Sequence, residues 1–311
     1  MNKLLYIILI SLFSLTIISC AKKSDSSDTT SSVSFVAVGT SGTILTSPDG
    51  TTWTAQTSGT SNNINGVTYA NSTFVSVGNS GTILTSSDGT TWTSRTSGTS
   101  EHLYGITYGN STFVVAGDND SGSVGTILTS SDGITWVSRT SGTTNDLWDV
   151  NYGNNTFVAS DSTGGIRTSS DGISWTSRTS GITSSIWGGA YGNSKFVVAS
   201  YGGHILTSSD GSSWTSRTSG TTNIISDVVY ASNTFAAVGN SGTVLQSTDG
   251  ISWSSVSGLS FNIYGVDNGL STWVLVGETG TIYTIGEDED TFTSRTSGTS
   301  SNLFRVFFKA D

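Results

Sequence analysis

Short stretches in which apolar residues alternate with Thr, Ser or Gly, broken by small polar clusters, make up most of this chain. Residues 64–96, INGVTYANSTFVSVGNSGTILTSSDGTTWTSRT, show one full cycle. A two-residue period marks strands with one face buried, and Asn, Ser, Asp and Gly clusters mark the turns between them. The cycle therefore predicts four strands, Ile64–Ala70, Thr73–Gly78, Thr82–Ser86 and Thr91–Thr96, joined by tight turns into an antiparallel meander. No window beyond the N-terminus holds a sustained helical period, so the class is all-β.

The cycle repeats. An aromatic residue closes each SDG-type turn at Trp53, Trp92, Trp136, Trp175, Trp214, Trp253 and Phe292, in steps of 39, 44, 39, 39, 39 and 39 residues. The long step holds an insertion around Asp118 to Val124, where other copies have a shorter GNSGT. A fixed period near 40 with four short strands per unit predicts a seven-bladed β-propeller over residues 34–311. The count leaves a first strand over at the C-terminal end, Leu303–Phe308, and three strands without a first strand at the start, beginning with Phe35–Gly39. Pairing these two segments completes seven four-stranded antiparallel blades and removes both open edges. An open array with two frayed ends is the alternative.

Composition and charge narrow the partners. The chain has 38 Gly, one Pro, only 11% charged residues and a net charge of −10. Its few Lys and Arg are scattered, so phosphate-backbone binding and hence nucleic acid are excluded. A chain repelling its own copies at this charge is expected to be a monomer.

The N-terminus carries an address. Lys3, an apolar run from Leu4 to Ile18, then Ser19 and Cys20 have the three-part form of a secretory signal, with an apolar core short for a membrane span. The end of the run, Ile17-Ile18-Ser19-Cys20, resembles a bacterial lipoprotein signal. That resemblance implies a signal peptide over 1–19, acylation of Cys20 and anchoring to a membrane, and Ala21 implies the outer membrane. A secretory signal cleaved elsewhere, or an uncleaved anchor, is the other reading of the same run. Cys20 is the only cysteine, so no internal disulfide is possible. Residues 20–33 are polar and aperiodic and read as a flexible tether.

The repeated turns, Ser/Thr-x-Asp-Gly-x-Thr/Ser-Trp, resemble Asp-box or BNR-type repeats of the sialidase-like and photosystem II assembly factor-like propellers, shortened by one residue. Asp49, Asp88, Asp132, Asp171, Asp210 and Asp249 hold the Asp position. An Asp in a tight turn accepts backbone N–H bonds, Gly relieves the backbone, and Trp packs between sheets. Six near-identical copies around a ring imply structure, not six active sites. In the seventh copy, Asp288 keeps the place while Glu289 replaces Gly; the run Glu287 to Asp290 reads as a solvated turn, with a hard-cation site as the lesser alternative.

Tested residue by residue, the sialidase resemblance does not carry catalysis. Arg95, Arg139, Arg178, Arg217 and Arg295 all stand three residues after the turn aromatic, as a feature of the repeat and not of one pocket. The only proline, Pro48, lies inside a turn, so the Arg-Ile-Pro motif is absent. His102 and His204 have no metal-ligand spacing, and neither a metal nor a cofactor is expected. The carboxylate pairs Asp146/Asp149 and Asp118/Asp120 keep a glycoside hydrolase or lyase open as the second reading. The first is a non-catalytic module binding a protein or glycan in the cell envelope.

Binding is expected where the copies differ. The second residue of the first strand reads Asn65, Tyr104, Trp148, Trp187, Ser226, Tyr264 and Phe304, and first strands of propellers line the central channel. Tyr104, Trp148, Trp187, Tyr264 and Phe304, with Asp149 beside them, are therefore the candidate ligand-binding residues; Glu101, His102, Asp146, Asp227 and Arg305 add polarity from neighbouring loops.

Overall fold

The computed structural model describes residues 32–119, 122 and 124–310. The signal segment, Cys20 and most of the expected tether lie outside the described residues, as does Asp120. Among the described residues no helix is long and apolar enough to cross a membrane.

Seven four-stranded antiparallel sheets form a ring, and the only helical residues among those described are three single 3-10 turns. Blade two shows the common plan: Ile64–Ala70 innermost, then Thr73–Gly78, Thr82–Ser86 and Thr93–Arg95. Blade one is the composite that the strand count predicts, with Leu303–Phe308 paired to Phe35–Gly39. Phe35 stands opposite Phe308, Ala37 opposite Val306 and Val38 opposite Arg305. Two further backbone bonds, from Lys309 N to Ser34 O at 2.7 Å and from Thr40 N to Asn302 O at 2.9 Å, fasten its two ends.

The core is one motif repeated around the ring. The second residue of the second strand is Phe in five blades, at 74, 113, 157, 196 and 235, and Phe35 takes the same place in blade one; all are fully buried. The first strand sends a Tyr against this ring, with centroids 4.5 to 4.7 Å apart, as in Tyr108 on Phe113. The turn Trp approaches from the other side at 6.2 to 6.5 Å. Each buried Phe contributes roughly 1.5–3 kcal/mol of burial.

The SDG turn is built as its residue types require. At Asp132, Oδ1 accepts the amides of Ile134 and Thr135, both at 2.8 Å, and the Ser130 hydroxyl at 2.9 Å. Ser130 Oγ accepts the amide of Gly133 at 2.8 Å, and Gly133 takes the left-handed conformation at φ 73° that favours Gly. Trp136 Nε1 donates to Gly133 O at 3.1 Å. The two amide bonds recur at Asp49, Asp88, Asp171, Asp210 and Asp249.

Two expectations change. The outer strands are shorter than the pattern predicts, Thr93–Arg95 in place of Thr91–Thr96, because the Asp88 carboxylate takes the Thr90 and Thr91 amides out of any ladder. The turn Trp rings touch the apolar clusters between sheets but remain half-buried, held by their Nε1 bond as much as by packing.

Neighbouring blades are also stitched at one face. In blades two to five the Asn that opens the first hairpin donates from Nδ2 to the SDG turn of the next blade, from Asn71 to Ser131 O at 3.4 Å, Asn110 to Ser170 O at 3.2 Å, Asn154 to Ser209 O at 3.4 Å and Asn193 to Thr248 O at 3.0 Å.

Deleting residues 302–311 strips Phe35–Gly39 of its inner partner together with the buried Leu303 and Val306. The truncated protein is expected to melt far below the full chain or to aggregate, and a soluble monomer with unaltered melting would refute ring closure. Asp132→Ala should lower stability by about 1 kcal/mol, as loss of a comparable helix cap does.

Backbone amides hold the Asp132 and Asp249 carboxyls at about 2, against an ordinary 3.8. Their stabilisation is complete above about pH 4 and is lost as pH falls through about 2. Acid titration of unfolding should therefore show a steeper loss in the parent than in Asp132→Ala.

Candidate functional site

A bulge aims the second residue of the first strand. In blade four Leu147 stands opposite Asp161 and Asp149 opposite Ser160, so Trp148 is the extra residue. The same shift occurs at Asn65, Tyr104, Trp187, Ser226 and Tyr264. An unpaired bulge residue is free to turn from the ladder, and here it turns into the channel. The second residue of every first strand, from Asn65 to Phe304, lines one mouth cavity of about 320 Å³ together with Arg305.

The rings form two groups. Trp148 lies between Tyr104, at 4.5 Å and tilted, and Trp187, at 5.6 Å with planes only 15° apart. Across the mouth Tyr264 and Phe304 meet at 6.0 Å. Trp187 is 37% exposed, a large apolar face left to solvent. Trp148 Nε1 is buried and has no hydrogen-bond partner among the described residues.

Acids rim the rings. Tyr104 donates its hydroxyl to Asp118 Oδ2 at 3.1 Å, and Asp118 Oδ1 accepts the His102 amide at 2.7 Å. Burial, followed by the Glu278 charge, raises the Tyr264 hydroxyl pKa. Asn65 serves a different end, since its Nδ2 donates to Asn79 Oδ1 and to Leu103 O, both at 2.8 Å, tying blade two to blade three.

Below the mouth the channel is crossed by an ion cluster. Asp149, Asp227 and Arg305, assigned to loops by the sequence pattern, are third residues of the first strands of blades four, six and one. The Arg305 guanidinium bonds Asp227 and lies 3.7 Å from Asp149. Asp227 also accepts the amides of Val228 at 2.9 Å and Val266 at 3.1 Å, and Asp149 accepts Asn151 Nδ2 at 2.8 Å. Burial raises the Asp149 carboxyl above its ordinary range, with Arg305 opposing it. Burial works against the Arg305 charge, but Asp227 and Asp149 outweigh it and the pKa goes up.

The same third position is Gly in the other four blades. A Cβ on Gly105 would come within 2.7 Å of the Asp149 backbone, and one on Gly265 within 2.9 Å of that of Arg305. Gly at four of these positions and a charge at the other three was the available sign that these side chains share one crowded level of the channel. Beyond them lies a second chamber of about 400 Å³ that Asp267 also lines.

The remaining candidates are dispersed. Arg95, Arg139, Arg178, Arg217 and Arg295 lie on outer strands, each Nε donating to a Thr hydroxyl at 2.8 to 2.9 Å. Asp149 turns to Arg305, while Asp146 precedes the strand and offers its carbonyl to Ser162 N at 2.9 Å. His102 Nδ1 accepts the Ser80 amide at 3.0 Å, and His204 sits by the Gly202 turn. Glu287 to Asp290 are all exposed.

No family model and no curated protein matches the chain. Solved structures do. YCF48 bound to D1 peptide superposes with a TM-score of 0.65 at 15% identity, covering 89% of this chain and 88% of that one. YCF48 from Cyanidioschyzon merolae gives 0.60 at 18% identity, covering 78% and 88%. The computationally designed Ika8 protein gives 0.64 at 14% identity, covering 89% and 91%. At these identities the likeness shows the propeller fold.

Two outcomes follow for the site. Trp148→Ser/Trp187→Ser should lose less than about 2 kcal/mol, because lost stacking is offset by removal of a buried unpaired N–H. Trp175→Ala, which opens a gap beside Phe157, should lose about 3 kcal/mol; the order of the two melting midpoints decides.

Burial raises the Asp267 carboxyl to about 7 from an ordinary 3.8, although the Phe308 and Asn268 amides donate to it at 2.7 and 2.8 Å. Between those values the folded state keeps a proton that the unfolded chain has lost. Its stabilisation is complete below about pH 4 and is lost as pH rises through about 7. Asp267→Asn should flatten the fall in melting midpoint between about pH 5 and 8.

Proposed function

We propose that this chain is a non-catalytic binding module of the bacterial cell envelope, lipid-anchored through Cys20, whose channel mouth takes a segment of a protein partner. The stack Tyr104–Trp148–Trp187 carries the reading: rigid aromatic faces, one of them in solvent, at a position where other blades manage with Asn65 or Ser226. Such faces are the anchors of protein interfaces and order little side-chain freedom on binding. The net charge of −10 favours a partner segment that joins an apolar anchor to basic residues. A peptide bound to YCF48, on the same fold, supports this class of ligand. Arg305 engages both channel carboxylates, Asp149 and Asp227, which supports a structural use for them over an acid–base pair.

Crosslinking in intact cells, with the parent and Trp148→Ser/Trp187→Ser compared, tests the mouth. The double variant is expected to lose the captured protein while keeping its fold, and undiminished capture would sink the reading. Retention on an oligosaccharide panel, lost in the same variant, would make the ligand a glycan. Cys20→Ser should release the chain from membranes on fractionation; persistent association would mean another anchor.

A further inference from the structure

Four consecutive seams of the ring, from blade two to blade six, share one set of fillers. Where blade three meets blade two, the turn Gly133 rests on Val75, and Gly172, Gly211 and Gly250 rest likewise on Val114, Val158 and Val197. In blades two to five an outer-strand Arg bonds a Thr on the neighbouring strand, as Arg95 bonds Thr85 at 2.8 Å. A Tyr of the following blade fills the space over a Gly, as Tyr152 does over Gly109.

Between blades six and seven every one of these fillers is replaced. Ala236 stands for Val, Gln246 for Thr, Val256 for Arg, Asn268 for Tyr, and Glu289 for the turn Gly. The Asn stitch is gone too: Ser232 bonds Asn268 Oδ1 and Glu287 instead. The result is a cavity of about 410 Å³, a volume suited to a small ligand.

Its walls have a definite chemistry. Val256, Leu275, Ile285 and Phe292 make an apolar interior, and Trp273 presents an indole where the six other blades have Phe. At the opening stand Glu287, Glu289 and Asp290, all exposed, and among the described residues no Lys, Arg or His lines the cavity. An apolar body would be desolvated inside, while carboxylates and an aromatic face attract positive charge at the entrance.

We propose that this seam is a second binding site, separate from the channel mouth, for an organic cation: a short aliphatic or aromatic body ending in an ammonium or guanidinium group. The same chemistry occurs in a free amine and in an apolar–basic end of a polypeptide.

NMR titration of the 15N-labelled protein, followed at the Ala236 and Val256 amides, tests it with n-hexylammonium, hexan-1-ol and hexanoate, and with the dipeptide amide Leu-Lys as the polypeptide arm. Hexylammonium is expected to saturate with a Kd near the millimolar range, with the alcohol and the acid about tenfold weaker. Tighter binding of the dipeptide would assign the site to a polypeptide, and tighter binding of hexylammonium to a free amine. Val256→Arg/Gln246→Thr restores the seal of the other blades and should abolish binding with the fold retained by melting. Glu289→Gln, which leaves the interior intact, should weaken hexylammonium about three- to fivefold and leave the alcohol unchanged. Equal binding of alcohol and cation, unchanged binding by the resealed variant, or no saturable binding of any probe would each overturn the proposal.

Discussion

Everything in this molecule depends on one strand pairing, that of Leu303–Phe308 with Phe35–Gly39. Without it seven sheets would remain an open stack with unpaired edges, and packing of each Phe-centred core against the next would stop at both ends. The same pairing assembles the channel. Phe304 joins the mouth and Arg305 reaches Asp149 and Asp227 only because the closing strand lies innermost in blade one. Asp227 in turn accepts the Val266 amide, so the ion cluster links blades six, seven and one as well as facing blade four. Closure and site are thus one construction in energetic terms.

A ring of near-identical units divides its positions by physical demand. Where the turn requires an acceptor for two amides and a left-handed backbone, Asp and Gly return in copy after copy. Where the blade requires nothing, as at the bulge residue, the chain carries anything from Ser226 to Trp187. The seam between blades six and seven differs in kind: several positions that do have a packing role were changed together, and the cavity lies beside the shortened Ala236 and Val256. Isolated drift would leave scattered gaps, each close to one missing side chain.

Much of the architecture was legible because it is periodic. Strand count, the antiparallel meander, the composite blade and the structural role of Asp88 and its five equivalents follow from the period and from turn chemistry. The mouth was legible too, since a position that varies inside a fixed frame stands out. The ion cluster was not placed correctly. Asp149 and Asp227 look like loop polarity in a linear reading, Arg305 was counted with them although it falls inside the expected closing strand, and only the bulge beside each Trp148-type residue shows that all three point to one axis. Length of the outer strands was overestimated for a related reason: side-chain carboxylates compete with the ladder for amides, and alternation does not report that competition. Asp267 accepts the amide of the distant Phe308, a contact between segments that no local pattern connects.

The composite blade also imposes an order in time. Its second, third and fourth strands are made first, and its innermost strand comes after almost the whole described chain has followed. During that interval Phe35–Gly39 presents a naked apolar edge, while each later blade can form from its own contiguous meander. Closing the longest loop last is slow and leaves the edge open to any other extended segment, including the equivalent strand of a second chain. The residues that complete the ring therefore govern how long the nascent protein is vulnerable, and a partner able to cover that single edge would act as its chaperone.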